Sequence, residues 1–271
     1  MLSGIAARCD LVVLSDNVRP TVDIRRLRKD GPPRTVFVSL RAPLPAFEAF
    51  FTHVLPQLET PFVLITGSED VTVPNQTDRR WPKFSDELRA ALHKLSEHPK
   101  LLHWFAENLD EAFSEKVSPL PLGFVFPDSK PTAISAKIKP PTWARPNSVL
   151  CAHRIREGAQ WQARRDVQAL ASGAWRAFTH VADKEMPLKA FHEACRTHKF
   201  VLCVEGGGLD PCPKVFDALL NGAIPIVRAS AASRALAELP VAFVESWSED
   251  AVTPDLLDDW SAEFTPKFDA P

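Results

Sequence analysis

Hydrophobic periodicity along this chain switches repeatedly between two residues and about 3.6. That alternation limits the fold more than any other feature, because it is the mark of strand–helix units stacked one after another. The stretch FVLCVEGGGLDPCPKVFDALLNGAIPIV (200–227) compresses one whole unit into a strand, a glycine loop, a helix and a second strand. DLVVLSD (10–16), RTVFVSL (34–40) and PFVLITG (61–67) are also strand-like, rich in Val and Leu and bounded by Asp, Pro and Gly. PLPAFEAFFTHVLPQL (43–58) spaces Leu44, Phe47, Phe50, Phe51, Val54, Leu55 and Leu58 as one apolar helical stripe. FSDELRAALHKLSEH (84–98) predicts a second helix with Ser85 as its N-cap, and KLLHWFAEN (100–108) and KVSPLPLGF (116–124) predict short strands or turns.

Periodicity vanishes between Phe126 and Pro146, where prolines recur, and this tract is read as a domain linker. Beyond it the alternation restarts with strands at 148–153 and 175–181 and helices at 157–171 and 187–198. A last helix is expected with Thr253 as its cap and Pro254 in its first turn. The fold class expected is α/β, with two Rossmann-like parallel-sheet domains facing a cleft. They comprise residues 1–135 and 136–252, and the C-terminal helix, 253–271, has the option of packing back on the first domain.

Composition narrows the partners. In 271 residues, 32 basic side chains meet 34 acidic ones, so the net charge of -2 gives no reason to expect nucleic acid. A phosphate would have to be met by a local site. No apolar run reaches the roughly 20 residues of a membrane helix. Five cysteines form no C-x-x-C pair, an odd count for a closed disulfide framework, so reduced thiols and a cytoplasmic location are the simplest expectation.

In open parallel sheets, ligands sit beyond the carboxyl ends of strands. Glu205 ends such a strand, Gly206, Gly207 and Gly208 let the backbone approach a ligand or adopt positive φ, and Lys214 opens the following helix. Exposed amides and an ammonium suit a diphosphate, although three glycines alone serve equally well for a tight strand-to-helix turn. The P-loop and dinucleotide glycine patterns are both absent. After strand 148–153 come His153, Arg154 and Arg156, with Arg154 the preferred phosphate ligand. Arg164 and Arg165 read first as a solvated helix face. Glu205 and Asp210 are candidates to hold ribose or sugar hydroxyls, and an Asx-type turn is the equal alternative for Asp210.

Residues 214–227, K-V-F-D-A-L-L-N-G-A-I-P-I-V, resemble the donor-binding helix and following strand of fucosyltransferases and exostosin-like glycosyltransferases of the GT-B type. Lys214, Asp217, Ala218, Leu219, Gly222, Pro225 and Ile226 stand on that pattern. FVLITGSED (62–70), HWFAENLD (103–110) and VSPLPLGFVF (117–126) look more loosely like parts of the acceptor-side domain. Cys212-Pro213 stands where fucosyltransferases carry Thr-Glu, a departure that argues against fucose and leaves hexosyl, pentosyl and fucosyl transfer unresolved. The resemblance implies a nucleoside diphosphate sugar held by the second domain and a glycan or other hydroxyl acceptor presented by the first. It also keeps one arginine of the 164–165 pair, taken as Arg165, and Asp217 among the donor-binding residues.

An inverting transfer needs a general base from the acceptor side, and Glu69 or Asp70, just after strand 61–66, is placed for it. A solvated acidic turn is the plain alternative. Ser68 stands where a D-x-D metal motif would need its first Asp, so neither a metal nor another cofactor is expected. His192, Cys195 and His198 drift around a helix and offer no fourth ligand. Trp81, Trp104 and Trp143 are read as core or anchoring residues before sugar platforms. The function expected is therefore metal-independent glycosyl transfer, with a non-catalytic carbohydrate- or nucleotide-binding module as the alternative.

Overall fold

The computed structural model describes residues 4–19, 21–123 and 140–269. Two compact units divide between Pro121 and Leu122.

The first unit is built on a six-stranded sheet in the order β2-β1-β3-β4-β5-β6. Strands β1 (Leu11–Ser15), β3 (Thr35–Ser39), β4 (Phe62–Gly67), β5 (Leu101–Ala106) and β6 (Val117–Pro119) run parallel, and β2 (Val22–Arg26) pairs antiparallel with β1. β3 and β4 are buried along almost their whole length, which is why they read as unbroken apolar runs. β2 is different. Its sequence VDIRR is nearly all exposed, so no apolar pattern announces it, and its charges suit a sheet edge.

Helix α1 (Pro43–Ala49) relaxes into a wider π turn over Phe50–Val54 and a tight turn at Leu55–Gln57, where Pro56 has no N–H to continue the ladder. The predicted stripe still faces inward at Phe47, Phe50, Val54 and Leu58. Helix α2 (Asp86–Ser96) starts at Ser85, whose hydroxyl accepts from the Leu88 N–H at 3.2 Å as predicted. Trp104 is wholly buried and donates its indole N–H to Thr66, so it is a core residue.

The second unit carries a wholly parallel sheet in the order β11-β10-β9-β7-β8. Its strands are β7 (Val149–Cys151), β8 (Thr179–Val181), β9 (Phe200–Leu202), β10 (Ile224–Arg228) and β11 (Ala242–Val244). Counted within the unit the order is 2-1-3-4-5, reversing between β7 and β9. Alternate side chains feed two cores. Val149, Cys151, Leu202 and Ile226 pack with Val167 and Ala171 of α3 (Gln162–Ser172) and with Leu257 and Phe264 of α6 (Pro254–Asp269). Leu150, Val201, Cys203 and Val227 pack with Phe191 and Cys195 of α4 (Leu188–Thr197) and with Val215 and Ala218 of α5 (Lys214–Leu220). The C-terminal helix thus completes the second unit's own core, capped by Thr253 as expected.

Most of the tract read as a linker, 126–146, lies outside the described residues, but its end is firmly built into the second unit. Arg145 is 3% exposed and donates to the carbonyls of Pro140, Cys195, His198 and Asn221 at 2.8–3.3 Å. Those of Cys195, His198 and Asn221 belong to the C-terminal ends of α4 and α5, so one guanidinium supplies donors where two helices have run out of their own. Arg145→Ala would leave these carbonyls buried and unpaired. It is expected to cost about 1–3 kcal/mol or more in urea unfolding, the penalty of leaving buried acceptors unsatisfied, against less than about 0.5 kcal/mol for Arg176→Ala at an exposed position.

Candidate functional site

The reversal of strand order between β7 and β9 splays the connections on either side, and a pocket of about 440 Å3 opens there. The loop after β7 contributes Ala152, Arg154 and Trp161, the segment after β8 Glu185 to Leu188, and the turn into α5 Cys212, Pro213 and Lys214. Arg164, Phe191 and Asp217 complete the lining from α3, α4 and α5. Three cations and two carboxylates therefore share a wall with Trp161, Met186, Leu188 and Phe191. Of the predicted donor residues, Arg154, Lys214 and Asp217 meet here.

Arg164 organises the site. Its guanidinium donates to the carbonyls of Val204 and Glu205, beyond β9, and to that of Arg154, beyond β7, at 3.0–3.3 Å. It lies 4.7 Å above the Trp161 ring and is only 7% exposed. Gly206 is small for this reason: a Cβ there would come within 2.9 Å of the Arg164 Nη2. The neighbouring Arg165 turns the other way, donating to the carbonyls of Arg156 and Gly158 and to Gln162. It is absent from the pocket wall. Buried residues of α3 are Arg164, Val167 and Ala171, spaced at the helical period, so the 3.6-residue pattern itself distinguishes the two arginines.

Lys214 holds its ammonium 4.6 Å from the Phe191 ring centroid. Asp217 accepts from His192 Nε2 at 3.0 Å. Arg154 forms an exposed ion pair with Glu185, which holds that carboxyl below its ordinary range. His153 sits behind the pocket with Nε2 donating to the Arg164 carbonyl at 2.8 Å, and burial pushes its pKa down to about 4.

The glycine run does not adopt the positive φ that was one of its two expected uses. Positive φ is taken by Cys212 (81°), and the positive-φ glycines among the described residues are Gly4, Gly31, Gly123, Gly158 and Gly222, none of them in the 206–208 run. Asp210 makes the Asx-type turn, accepting from the Cys212 N–H at 2.9 Å, and also accepts from the Leu122 N–H at 3.0 Å. Glu205 is buried and ion-paired with Arg228 at the end of β10, and the Trp247 indole N–H lies 3.4 Å from its other oxygen. A partner 23 residues away in sequence thus gives Glu205 the reason that its own neighbours do not. It does not line the pocket.

In the first unit, Asp70 pairs with Arg80, which also binds the buried Asp78 at 2.6 Å. Glu69 accepts from the Asp70 N–H at 3.1 Å, and its backbone carbonyl accepts from Asn108. The chemical work available to Asp70 is therefore shared with holding Arg80. Among the described residues no three His, Cys, Asp or Glu side chains converge as metal ligands. His192 faces Asp217, Cys195 is buried, and the His198 ring contacts the Ala194 carbonyl. No described helix is long and apolar enough to cross a membrane.

Two measurements follow from these environments. His153 titrates near 4 when folded and near 6.5 when unfolded, so acidification between those values protonates the unfolded chain first and removes up to about 3 kcal/mol of stability. In urea melts, wild type should lose more stability from pH 7 to pH 4.5 than His153→Gln; equal losses would contradict this environment. The five cysteines should also separate. Cys9, Cys151, Cys195 and Cys203 are buried with raised pKa values, whereas Cys212 is half-buried. Its thiol is held below the ordinary value by a hydrogen bond from Cys203 and by Arg164 and Lys214. Brief alkylation of native protein, read by peptide mass spectrometry, should mark Cys212 first.

Set against known protein families and curated proteins, the chain matches no family model and no curated sequence.

Proposed function

We propose that the protein is a metal-independent glycosyltransferase whose second unit holds a nucleoside diphosphate sugar and whose first unit presents the acceptor hydroxyl. In this reading the two sheets are the Rossmann-like domains of a GT-B-type enzyme, as the resemblance over 214–227 implies. The observation that carries it is the meeting of Arg154, Arg164 and Lys214 beside an apolar wall where the strand order reverses. A nucleoside diphosphate has a flat apolar end and a dianionic one. Trp161, Met186 and Phe191 suit the first, and the cations suit the second.

The chemistry asked of these residues is stabilisation of a leaving diphosphate. Arg154 and Lys214 lie at the pocket surface and supply charge at the oxygens, where each good charge-assisted contact is worth about 1.5–3 kcal/mol. Arg164 spends its donors on three backbone carbonyls, so its part is to fix the two loops and add a fixed positive field. Glu69 is the better candidate for a base, because Asp70 is engaged with Arg80. That engagement also favours the second reading, a binding module without transfer.

Saturating UDP or GDP should raise the melting temperature, as any ligand selective for the folded state does. Lys214→Ala should weaken binding by about tenfold or more, the loss of one charge-assisted contact. No response to either nucleotide would remove the donor assignment. Release of free nucleoside diphosphate from nucleotide sugars separates transferase from binding module.

A further inference from the structure

The first unit has a pocket of its own, of about 400 Å3, after the carboxyl end of β4. Its lining includes Arg79, Lys83 and Arg89, with the Asn75, Gln76 and Thr77 side chains opposite and Phe84 as a buried apolar floor. No carboxylate lines it. The nearby acids are engaged elsewhere, Asp70 and Asp78 with Arg80 and Asp86 with one terminal nitrogen of Arg89. The Nε of Arg89 is shielded from solvent and has no hydrogen-bond partner among the described residues. Arg79 and Lys83 are exposed and form no ion pair with a described residue.

The loop that carries these groups is built, not loose. Asp110 accepts from the Thr72 hydroxyl at 2.7 Å and from the backbone and side chain of Asn75 at 3.2 and 3.3 Å. Gln76 is 2% exposed, donates to the Asp78 carbonyl at 2.8 Å and accepts from the Thr72 N–H at 3.2 Å. A buried polar scaffold of this kind holds its position only when its members are satisfied, and here it presents three like charges to one space. Arg89 is paired with the exposed Asp86, but Arg79 and Lys83 have no carboxylate partner among the described residues, so an anion in the pocket would complete the set.

We propose that this pocket is a second oxyanion site, taking the phosphate or sulfate ester of a polyhydroxyl ligand. Arg79, Lys83 and Arg89 would meet the ester, and the Asn75 amide oxygen and the Thr77 hydroxyl, from residues lining the same pocket, offer partners to the hydroxyls. Under the transferase reading this ligand is the acceptor, an acidic glycan, but the binding itself does not depend on that reading.

The test is a titration of 15N-labelled full chain with glucose 6-phosphate, glucose 6-sulfate, inorganic phosphate and glucose, at constant ionic strength. The esters should shift the backbone signals of residues 75–84 and the Arg89 Nε–H signal, and glucose should not. Saturation by inorganic phosphate with the same affinity as the esters would reduce the site to a free-anion site and overturn the ester assignment. The exposed pair Arg79→Gln/Lys83→Gln should fold normally and bind the esters at least about tenfold more weakly, with Lys214→Ala unaffected. Shifts confined to the surroundings of Arg154 and Lys214, no shifts, or unchanged affinity in the double variant would each overturn the proposal. UDP added to the same samples reports on the second unit separately, so failure of one site is distinguishable from failure of the other.

Discussion

The candidate site depends on a single buried guanidinium. Arg164 reaches from α3 to the carbonyls at the ends of β7 and β9, the two strands between which the order of the sheet reverses. At such a reversal the following loops diverge to opposite faces, which opens the crevice but leaves backbone carbonyls without ladder partners. Arg164 answers both consequences. Its Nε and Nη1 donate to carbonyls from both sides, and its planar face stacks on Trp161, so the two loops are held at a fixed separation. Lysine has one compact charge and no plane, and could not do both. The glycine at 206 then follows from packing, because the guanidinium occupies the space where a side chain would begin.

Burying this charge is costly, and the three carbonyls that it bonds offset part of that cost. The guanidinium lines the pocket with Arg154 and Lys214, and Glu185 and Asp217 stand in the same wall. His153, whose Nε2 donates to the Arg164 carbonyl, is kept neutral by burial and adds no charge of its own. An anion entering the pocket would meet three cations and two carboxylates, of which Glu185 is already paired with Arg154. The net charge of -2 conceals this, since composition averages over the molecule while binding responds to the few charges within a Debye length.

Local signals in the sequence were strong wherever the physics is local. The strand–loop–helix–strand unit at 200–227, the caps at Ser85 and Thr253 and the inward stripe of α1 all stand in the structure, because propensity, capping and periodicity act over a few residues. What escaped was set by distant partners. β2 is stabilised by hydrogen bonding to β1 and has no apolar pattern of its own. Glu205 belongs to Arg228 across a strand, and Asp70 to Arg80 within a folded loop. Arg145 sits in a proline-rich tract that reads as linker, yet it caps two helices whose carbonyls are 50 or more residues away. The preference for Arg165 over Arg164 is different in kind: the helical period of Val167 and Ala171 contained the answer.

The contrast between acids and bases across the chain gives the reading its direction. Carboxylates singled out for chemistry are largely committed to the fold: Glu205 to Arg228, Asp210 to the turn before Cys212, and Asp70 to Arg80. The cations singled out for binding remain at pocket walls, as do Arg79 and Lys83, which no motif announced. Acids spent on structure beside cations at pocket walls suit the binding of anions, with Arg154 and Arg89 shared between that task and the exposed Glu185 and Asp86. Under the proposed transferase reading, proton transfer from an incoming hydroxyl would fall to Glu69, or to a phosphate oxygen of the leaving group itself when no side chain is free, and only the first of these requires the first unit to supply a base.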